Sequence, residues 1–475
     1  MVVFAYNELV WIFVALVLFV SSACSAPTGP PPEPTNLVIL SIDTLRVDHL
    51  GIYGYPHPTS PTLDRFAEQS TVFETAITVH VTTAPAHGTI LTGRYPGSHG
   101  ILRNGMRLAR NVPTLAEMLS EQGWSTGGFV SGWTLQRHTS LDRGFAVYDD
   151  DLGSPEAGAR RDGGKTTDVA LDWLKEQVAT DRKFFLFLHL FEPHWPYDPP
   201  ARDALRFLPN QHELTTLTKA THLNRLITVN RLTEFEQREY IARYDGEIVV
   251  ADRLLNRLLD ALESLGVAHN TVVIVLSDHG ETLFERKWTM DHGCRPYEEQ
   301  IQVPLVLHIP GENASGHRVS DQVSLLDVVP TVLDVFDLAP QEGVQGRSLL
   351  PLARDEVTTN PSRPAFITAR SAPERVPHVK APLTSRGLVR AVRLPNVKLI
   401  EYPTSMGGWS PELFVLSDDP GERDNRAESS NDTALFLRQE LDRWQAHSGT
   451  DFAPEAPILD PEVEAALREL GYIDD

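Results

Sequence analysis

The sequence predicts an α/β fold, a doubly wound and mostly parallel sheet with a small C-terminal α+β subdomain. Three observations carry that prediction. Short apolar runs rich in Val, Ile, Leu and Phe recur along the chain. Segments of helical periodicity separate them, and two of the runs lead to an aspartate. Strands of a parallel sheet are covered on both faces and read as unbroken apolar runs, and alternation with helices marks the crossovers such sheets need.

Taken in order, the first run is Asn36-Leu37-Val38-Ile39-Leu40-Ser41-Ile42, which delivers Asp43 at its C-terminal end. Helical patterns follow at Leu63 to Glu68, Pro113 to Gln122 and Thr166 to Val178. Lys183 to Leu188 is the second run, and a long helix spans about Glu234 to Leu265. Thr271 to Leu276 is the third run and leads to Asp278; Val303 to His308 is a further strand candidate, and Leu325 to Phe336 a helix. From Thr358 to Pro382 the composition turns to Pro, Arg and Ser. Short strands are then expected at Gly387 to Val392, Val397 to Glu401 and Glu412 to Leu416, with a helix near Thr433 to Trp444. The main domain is therefore placed at 36–357 and the subdomain at 358–475. In open sheets of this kind ligands bind beyond the carboxyl ends of the strands, where both aspartates fall.

A chain of 475 residues with 41% hydrophobic and 22% charged residues is a folded protein large enough for more than one core. Its formal net charge of −22 repels polyanions, so no nucleic-acid partner is expected. An anionic substrate would need a local cation, which a bound metal ion supplies. Cys24 and Cys294 are the two cysteines, too few for a disulfide framework or a zinc cluster of cysteines. The apolar run from Leu9 to Val20 is short for a membrane span and suits a signal-peptide core over residues 1–26. A tether at 27–35 follows, with prolines at 27, 30, 31, 32 and 34. Cys24 is either a lipid-attachment site or part of an ordinary small-residue cleavage site. Either way the protein is expected to be exported, to the periplasm or the extracellular space, or held on the membrane through its N-terminus.

Three segments could carry chemistry. Ser41 to Gly51 contains Asp43, which alone reads equally as a helix cap or turn residue. Ser277-Asp278-His279-Gly280-Glu281 offers a carboxylate oxygen and an imidazole nitrogen to one divalent ion, with a glycine that permits close backbone approach. Two such strand ends in one doubly wound pattern favour a metal site over polar turns. In Thr83-Ala84-Pro85-Ala86-His87 the Thr-x-Pro entry into a helix puts a hydroxyl where unpaired N–H groups and the helix dipole favour negative charge. The alternative is that Thr83 is only the helix N-cap.

Together these segments resemble the sulfatase branch of the alkaline phosphatase superfamily, over nearly the whole mature chain. Asp43-Thr-Leu-Arg-x-Asp-His-Leu-Gly-x-Tyr-Gly is similar to that family's opening metal strand. Thr83-x-Pro-x-His, followed by Leu91-Thr92-Gly93, stands where sulfatases have Cys/Ser-x-Pro-Ser-Arg followed by Leu-Thr-Gly. Leu276 to Glu281 resembles the distal metal pair; further similarity lies in Leu141 to Phe145, Glu192 to Tyr197 and the tail Leu467 to Ile473. The resemblance implies Asp43, Asp278 and His279 as metal ligands and Thr83 as the nucleophile that also touches the metal. It implies His87, in the place of the motif's Arg, and His292, a second active-site cation, as binding the anion's oxygens, with His194 near the leaving group to protonate it. Asn104 is similar in spacing to a substrate-binding Asn of phosphonate monoesterase relatives; for His194 and Asn104 local loop hydrogen bonding is the alternative. Thr44 replaces a second Asp of many arylsulfatases. His189, on an apolar strand, reads as a satisfied core histidine, and Cys294 as a bystander.

The threonine alters the chemistry the resemblance implies. Formylglycine is made from Cys or Ser; a Thr carries an extra methyl on Cβ and cannot give the same aldehyde, so no formylglycine is expected. A sulfated Thr then has no hemiacetal exit and must be attacked by water at sulfur. Relatives with a Thr nucleophile transfer phosphoryl groups, a chemistry that tolerates a plain alkoxide. The expectation is a hydrolase of sulfuric or phosphoric esters on small molecules or glycans, using one divalent ion. Mixed carboxylate, hydroxyl and imidazole ligands suit Mn or Zn, whereas Ca and Mg prefer oxygen alone. The alternatives are a phosphoryl-group transferase on envelope lipids or glycans and a catalytically silent exported binding protein.

Overall fold

The first apolar run forms a strand, Asn36–Ile42, buried along its whole length. Its side chains alternate between two cores: Leu37 and Ile39 lie in one, Val38, Leu40 and Ile42 in the other. That alternation is why no polar residue interrupts the run before Ser41, since each residue faces a covered side. Burying one such aliphatic side chain contributes about 1.5–3 kcal/mol. The computed structural model describes residues 34–153, 160–208, 214, 232–286, 292–312, 316–357, 363–369, 388–404 and 408–447. The N-terminal signal segment, most of the tether and the tail motif Leu467 to Ile473 lie outside these residues.

The main sheet is built from β1 (Asn36–Ile42), β2 (Thr71–Ile77), β3 (Ser125–Val130), β4 (Val147–Asp149), β5 (Phe184–Leu190), β6 (Thr271–Leu276), β7 (Gln302–Val303), β8 (Leu305–His308) and β9 (His317–Ser324). Their order is β4-β3-β5-β1-β6-β8-β2-β7, with β9 also paired to β2. From β4 to β6 every pairing is parallel. Beyond β6 the sheet is mixed: β8 runs antiparallel to β6 and β2, β7 antiparallel to β2, and β9 parallel to β2. The doubly wound, mostly parallel expectation therefore holds, with an antiparallel insert. The strand expected at Val303 to His308 is split by Pro304, which has no N–H to donate to a ladder.

Helices cover both faces. Thr83–Thr92, Leu115–Glu121 and Val328–Val335 pack in the core of one face, and Gly163–Ala179 and the long Glu234–Ser264 in that of the other. Two of them begin at a full capping box, Thr114 with Glu117 and Thr233 with Glu236, which satisfies otherwise orphaned N–H groups. The C-terminal part is a four-stranded antiparallel sheet of β10 (Ala365–Ala369), β11 (Val389–Leu394), β12 (Val397–Pro403) and β13 (Trp409–Val415). The helix Asn431–His447 covers one face through Leu437 and Leu441. The other face packs on Ile77, Val81, Tyr297 and Ile301 of the main part. No helix among the described residues is long and apolar enough to cross a membrane.

Candidate active site

The parallel register brings β1 and β6 side by side, so Asp43 and Asp278 leave adjacent strand ends. Both are 0% exposed, as is His279. One ligand atom from each of Asp43, Asp278 and His279 lies within 4.8 Å of the others. The loops that carry them are tied together. The Leu45 N–H donates to Ser277 Oγ at 2.9 Å, and that hydroxyl donates to the His279 carbonyl at 2.8 Å. Arg46 reaches across to the Glu281 carbonyl at 2.9 Å and to Glu285 at 2.7 Å. Gly280 meets the expectation of close approach: a Cβ there would stand 2.2 Å from the Glu299 carbonyl oxygen.

The donor set fits a cation. Asp278 Oδ1 accepts from the backbone N–H groups of His279 (2.9 Å) and Thr44 (3.3 Å), leaving Oδ2 with no hydrogen-bond partner. Neither oxygen of Asp43 has one. His279 donates from Nδ1 to the Gly280 carbonyl at 2.9 Å, which leaves the Nε2 lone pair as a ligand. Its Nε2 stands 3.4 Å from Asp278 Oδ2 and 4.0 Å from Asp43 Oδ1. Buried carboxylates without partners are costly in the absence of a positive charge. Burial, then the charge of Asp278, raises the pKa of Asp43 well above the carboxylate range. At Asp278 burial acts in the same upward sense, but His279, His87 and His189 outweigh it and lower the pKa. The two carboxyl groups are thus shifted in opposite directions, and a divalent ion held by both would favour their charged forms.

Thr44 does not offer a second carboxylate, and its backbone does other work. It sits at φ 54°, a left-handed conformation that a β-branched residue rarely adopts. There its N–H faces Asp278 and its carbonyl accepts from the Tyr244 hydroxyl at 2.7 Å. The long helix thereby helps position the loop that follows β1.

Thr83 is the first residue of its helix; the N-cap is Thr82, and neither makes a side-chain cap hydrogen bond. Asn104 Oδ1 accepts from the Ala84 N–H at 2.9 Å, and Pro85 has no N–H, so this helix end is less bare than the sequence suggests. Asn104 therefore stands beside Thr83 with its carbonyl end engaged, and its NH₂ is the end able to bind an anion. His87 differs from its expected place against the substrate. Its Nδ1 donates to the Thr83 carbonyl at 2.8 Å, and its Nε2 accepts from Ser41 Oγ at 2.8 Å. Both ring nitrogens are spent inside the protein, and Nδ1 also lies 3.5 Å from Asp278 Oδ2. Burial lowers its pKa to about 4, so it is a neutral link between the helix that begins at Thr83 and Ser41 of β1.

His194 and His292 come from distant segments and form a row with His279. The ring centroids are 5.0 Å apart for His194–His292 and 4.4 Å for His279–His292. His194 donates from Nδ1 to the Trp195 carbonyl at 2.5 Å. His292 Nδ1 lies 3.2 Å from Glu281 Oε1, while Glu281 Oε2 accepts from the Tyr197 hydroxyl at 3.2 Å. Sequence reasoning assigned no role to Ser41, Glu281 or Tyr197, although Ser41 and Glu281 lie inside the two strand-end motifs. His189 is a correction. It is 0% exposed on β5, yet neither ring nitrogen has a hydrogen-bond partner, and Nε2 lies 3.4 Å from Asp43 Oδ2. The apolar strand hid it as a core residue, whereas β5 lies next to β1 and delivers it to the site. Gly293, next to Cys294 in the chain, packs near the Thr82 side chain.

Comparison with known proteins bears on the same residues. The sulfatase family model matches residues 35–338, and a model of the C-terminal part of N-sulphoglucosamine sulphohydrolase matches residues 287–447. An ulvan-active sulfatase of Formosa agariphila is 24% identical over 348 residues, 68% of this chain and 66% of that relative, so just under two thirds of its length is spanned. A delta 4,5-hexuronate-2-O-sulfatase of Bacteroides thetaiotaomicron is 24% identical over 92% of this chain and 94% of its own. The crystal structure of a phosphonate monoester hydrolase of Agrobacterium radiobacter shares the fold, with a TM-score of 0.71 at 20% identity over 90% of this chain and 100% of that one. With the family model matching more than half of its length, this chain belongs to the sulfatase family and is an ester hydrolase.

Proposed function

We propose that the chain is a metal-dependent hydrolase of sulfuric or phosphoric esters that works through Thr83 and a covalent intermediate. The observation that carries this reading is the buried set of Asp43, Asp278 and His279, with carboxylate oxygens and an imidazole nitrogen lacking hydrogen-bond partners. Asp43, Asp278 and His279 would hold one divalent ion, with Thr83 completing the set. Bound there, the ion would neutralise charge on the ester's oxygens and lower the pKa of the Thr83 hydroxyl.

Thr83 gives up its proton to solvent and its Oγ attacks sulfur or phosphorus in line with the ester oxygen. The leaving oxygen takes a proton from His194. That residue already holds a proton on Nδ1 against the Trp195 carbonyl, so the mobile proton belongs on Nε2. His292, whose Nδ1 lies 3.2 Å from Glu281 Oε1, binds the anion's remaining oxygens together with the Asn104 NH₂. Water then attacks the intermediate, gives a proton back to His194 Nε2, and frees Thr83. His87 serves this reading by tying the nucleophile helix to Ser41 of β1 rather than by touching substrate. A plain alkoxide suits phosphoryl and phosphonyl transfer, and the fold shared with a phosphonate monoester hydrolase supports including those esters. Substrates that are sulfated sugars are supported by the names of the ulvan and hexuronate relatives. Export to the periplasm or beyond is part of the same proposal.

The test is a panel of nitrophenyl sulfate, phosphate monoester, phosphodiester and phosphonate, run on the wild type and on Thr83→Ala. The variant is expected to lose about 10⁴-fold or more in kcat on every ester cleaved. Wild-type rates in the variant would remove Thr83 as nucleophile, and no turnover of any ester by the metal-loaded wild type would remove the hydrolase reading.

A further inference from the structure

Asp43 has two sides. Its Oδ1 faces the ligand cluster, with His279 Nε2 at 4.0 Å, while its Oδ2 faces His189 Nε2 at 3.4 Å. His189 is not in the group whose ligand atoms gather within 4.8 Å of one another. It is fully buried, both of its ring nitrogens lack hydrogen-bond partners, and so does Asp43 Oδ2. A leucine at this point of an apolar strand would avoid burying a polar ring, so the imidazole needs a reason to be there. The space for it is provided: the ring's Cε1 lies 3.4 Å from where a Cβ would stand on Gly132. Its neighbour His87, 5.1 Å away between centroids, has both nitrogens committed to Thr83 and Ser41 and cannot serve in its place.

We infer that, with the ion bound, His189 is a positioning residue that donates from Nε2–H to Asp43 Oδ2, holding Asp43 as a one-oxygen ligand through Oδ1 and thereby favouring a small transition ion over calcium. This rests on the metal centre proposed above. The chemistry is that of a carboxylate with one oxygen on the ion and the other on a donor: it cannot turn to grip the ion with both oxygens. Bidentate grip is a mode calcium uses in its larger shell, whereas zinc and manganese accept one oxygen per carboxylate beside imidazole. Hydrogen bonds to ligating carboxylates also fix their direction, and losing them weakens metal binding.

The experiment titrates zinc, manganese and calcium into metal-stripped full-length wild type, His189→Leu and His189→Gln, read by chelator competition and by thermal melting with and without metal. Leu removes the donor; Gln keeps an N–H donor near the place of Nε2. Zinc affinity is expected to fall about 10–100-fold in His189→Leu and to stay within about threefold in His189→Gln. The calcium-to-zinc affinity ratio is expected to rise in the Leu variant alone. The metal-free melting temperature of His189→Leu should equal or exceed that of wild type, which separates positioning from a packing role. Should the Leu variant not fold, histidine ¹⁵N spectra of zinc-loaded wild type decide the matter: a proton on Nε2 of His189 supports the inference, and one on Nδ1 alone overturns it. Equal zinc affinity in wild type and Leu variant overturns the role of His189 alone. If wild type binds none of the three ions, and Asp278→Ala matches it, the metal centre itself falls and takes this inference with it.

Discussion

Two of the buried clusters of charge among the described residues are finished in opposite ways. At the seam between the main sheet and the C-terminal sheet, Lys398 is 0% exposed and pairs with Glu298 at 2.9 Å and Glu422 at 2.6 Å, donating also to the Pro296 carbonyl. Arg393 holds Glu298 at 2.9 Å, and Arg286 grips both oxygens of Glu299 at 3.0 Å. At the ends of β1 and β6, Asp43 and Asp278 are as deeply buried, but histidine nitrogens and backbone amides approach them rather than lysine or arginine. Burial of charge is therefore common to both regions and says little about function. What differs is whether the chain supplies the counter-charge itself. The seam is complete as folded; the strand ends keep carboxylate oxygens without a hydrogen-bond partner, as a site for an outside cation would.

The strongest way to break that contrast is Asp278→Asn. Activity is expected to fall about 10³-fold or more, since a charged ligand beside the reacting centre is lost. Metal-free stability should hold or rise, because Asp43 no longer faces a buried like charge. The stabilisation that saturating metal gives the wild type, about 2.7 kcal/mol at a hundred times Kd, should vanish. Thermal melts with and without zinc or manganese check this. Loss of several kcal/mol in the metal-free variant would make Asp278 a structural acid like those of the seam.

Lys398→Met asks the same question of the other cluster and should answer oppositely. Removing the ammonium strands Glu298 and Glu422 in the interior, at a cost of about 3–5 kcal/mol in chemical denaturation. Metal should not restore it selectively, because no ligand atom has been touched. Gly280→Ala lies between the two regions. Its new Cβ would meet the Glu299 carbonyl at 2.2 Å, on the segment that Arg286 anchors to the seam. Displacing that contact is expected to cost about 1–3 kcal/mol of stability. Zinc affinity should weaken with it, since His279 precedes the glycine; chelator competition measures that. Unchanged affinity would show that the seam does not help hold the metal-ligand loop.

The unfinished cluster was the more legible of the two in the sequence. Asp43, Asp278 and His279 each follow a buried parallel strand, and such strands announce themselves as apolar runs whose C-terminal ends converge. β3 escaped notice because Gly127 and Gly128 lower its strand character. They are there because a Cβ would stand 2.7 Å from the Trp173 ring and 2.6 Å from that of Tyr148, a requirement of packing and not of local preference. His189 was misread for a related reason. Its strand neighbours are apolar, and only the placement of β5 next to β1 reveals the carboxylate it faces. The place of His87 could not be read either, since its partners Ser41 and Asp278 come from two other segments. Lys398 and its partners are remote in sequence and carry no spacing signal at all.

The smallest expected effect concerns protons at the seam and refines what completeness means there. Two carboxylates share the ammonium of Lys398. Burial, opposed by Lys398 and reinforced by Glu298, pushes Glu422 up to about 7. Burial would raise Glu298 too, but Lys398 and Arg393 outweigh it and lower Glu298 to about 2. The two shifts act with opposite signs. Glu422 binds its proton more tightly folded than unfolded, so its contribution is fully present below about pH 4.5 and is lost as pH rises toward 7. Glu298 binds its proton less tightly when folded, so its contribution is present above about pH 4.5 and is lost as pH falls toward 2. Wild-type stability should therefore decline between pH 4.5 and 7 by about 1–2 kcal/mol on account of Glu422. Glu422→Gln should flatten that interval and leave the acid limb below pH 4.5 in place, as read from denaturant midpoints at several pH values. A variant that kept the wild-type slope would mean that Glu422 is ionised throughout. Lys398 would then balance two full negative charges, with Arg393 and Arg286 supplying the remainder.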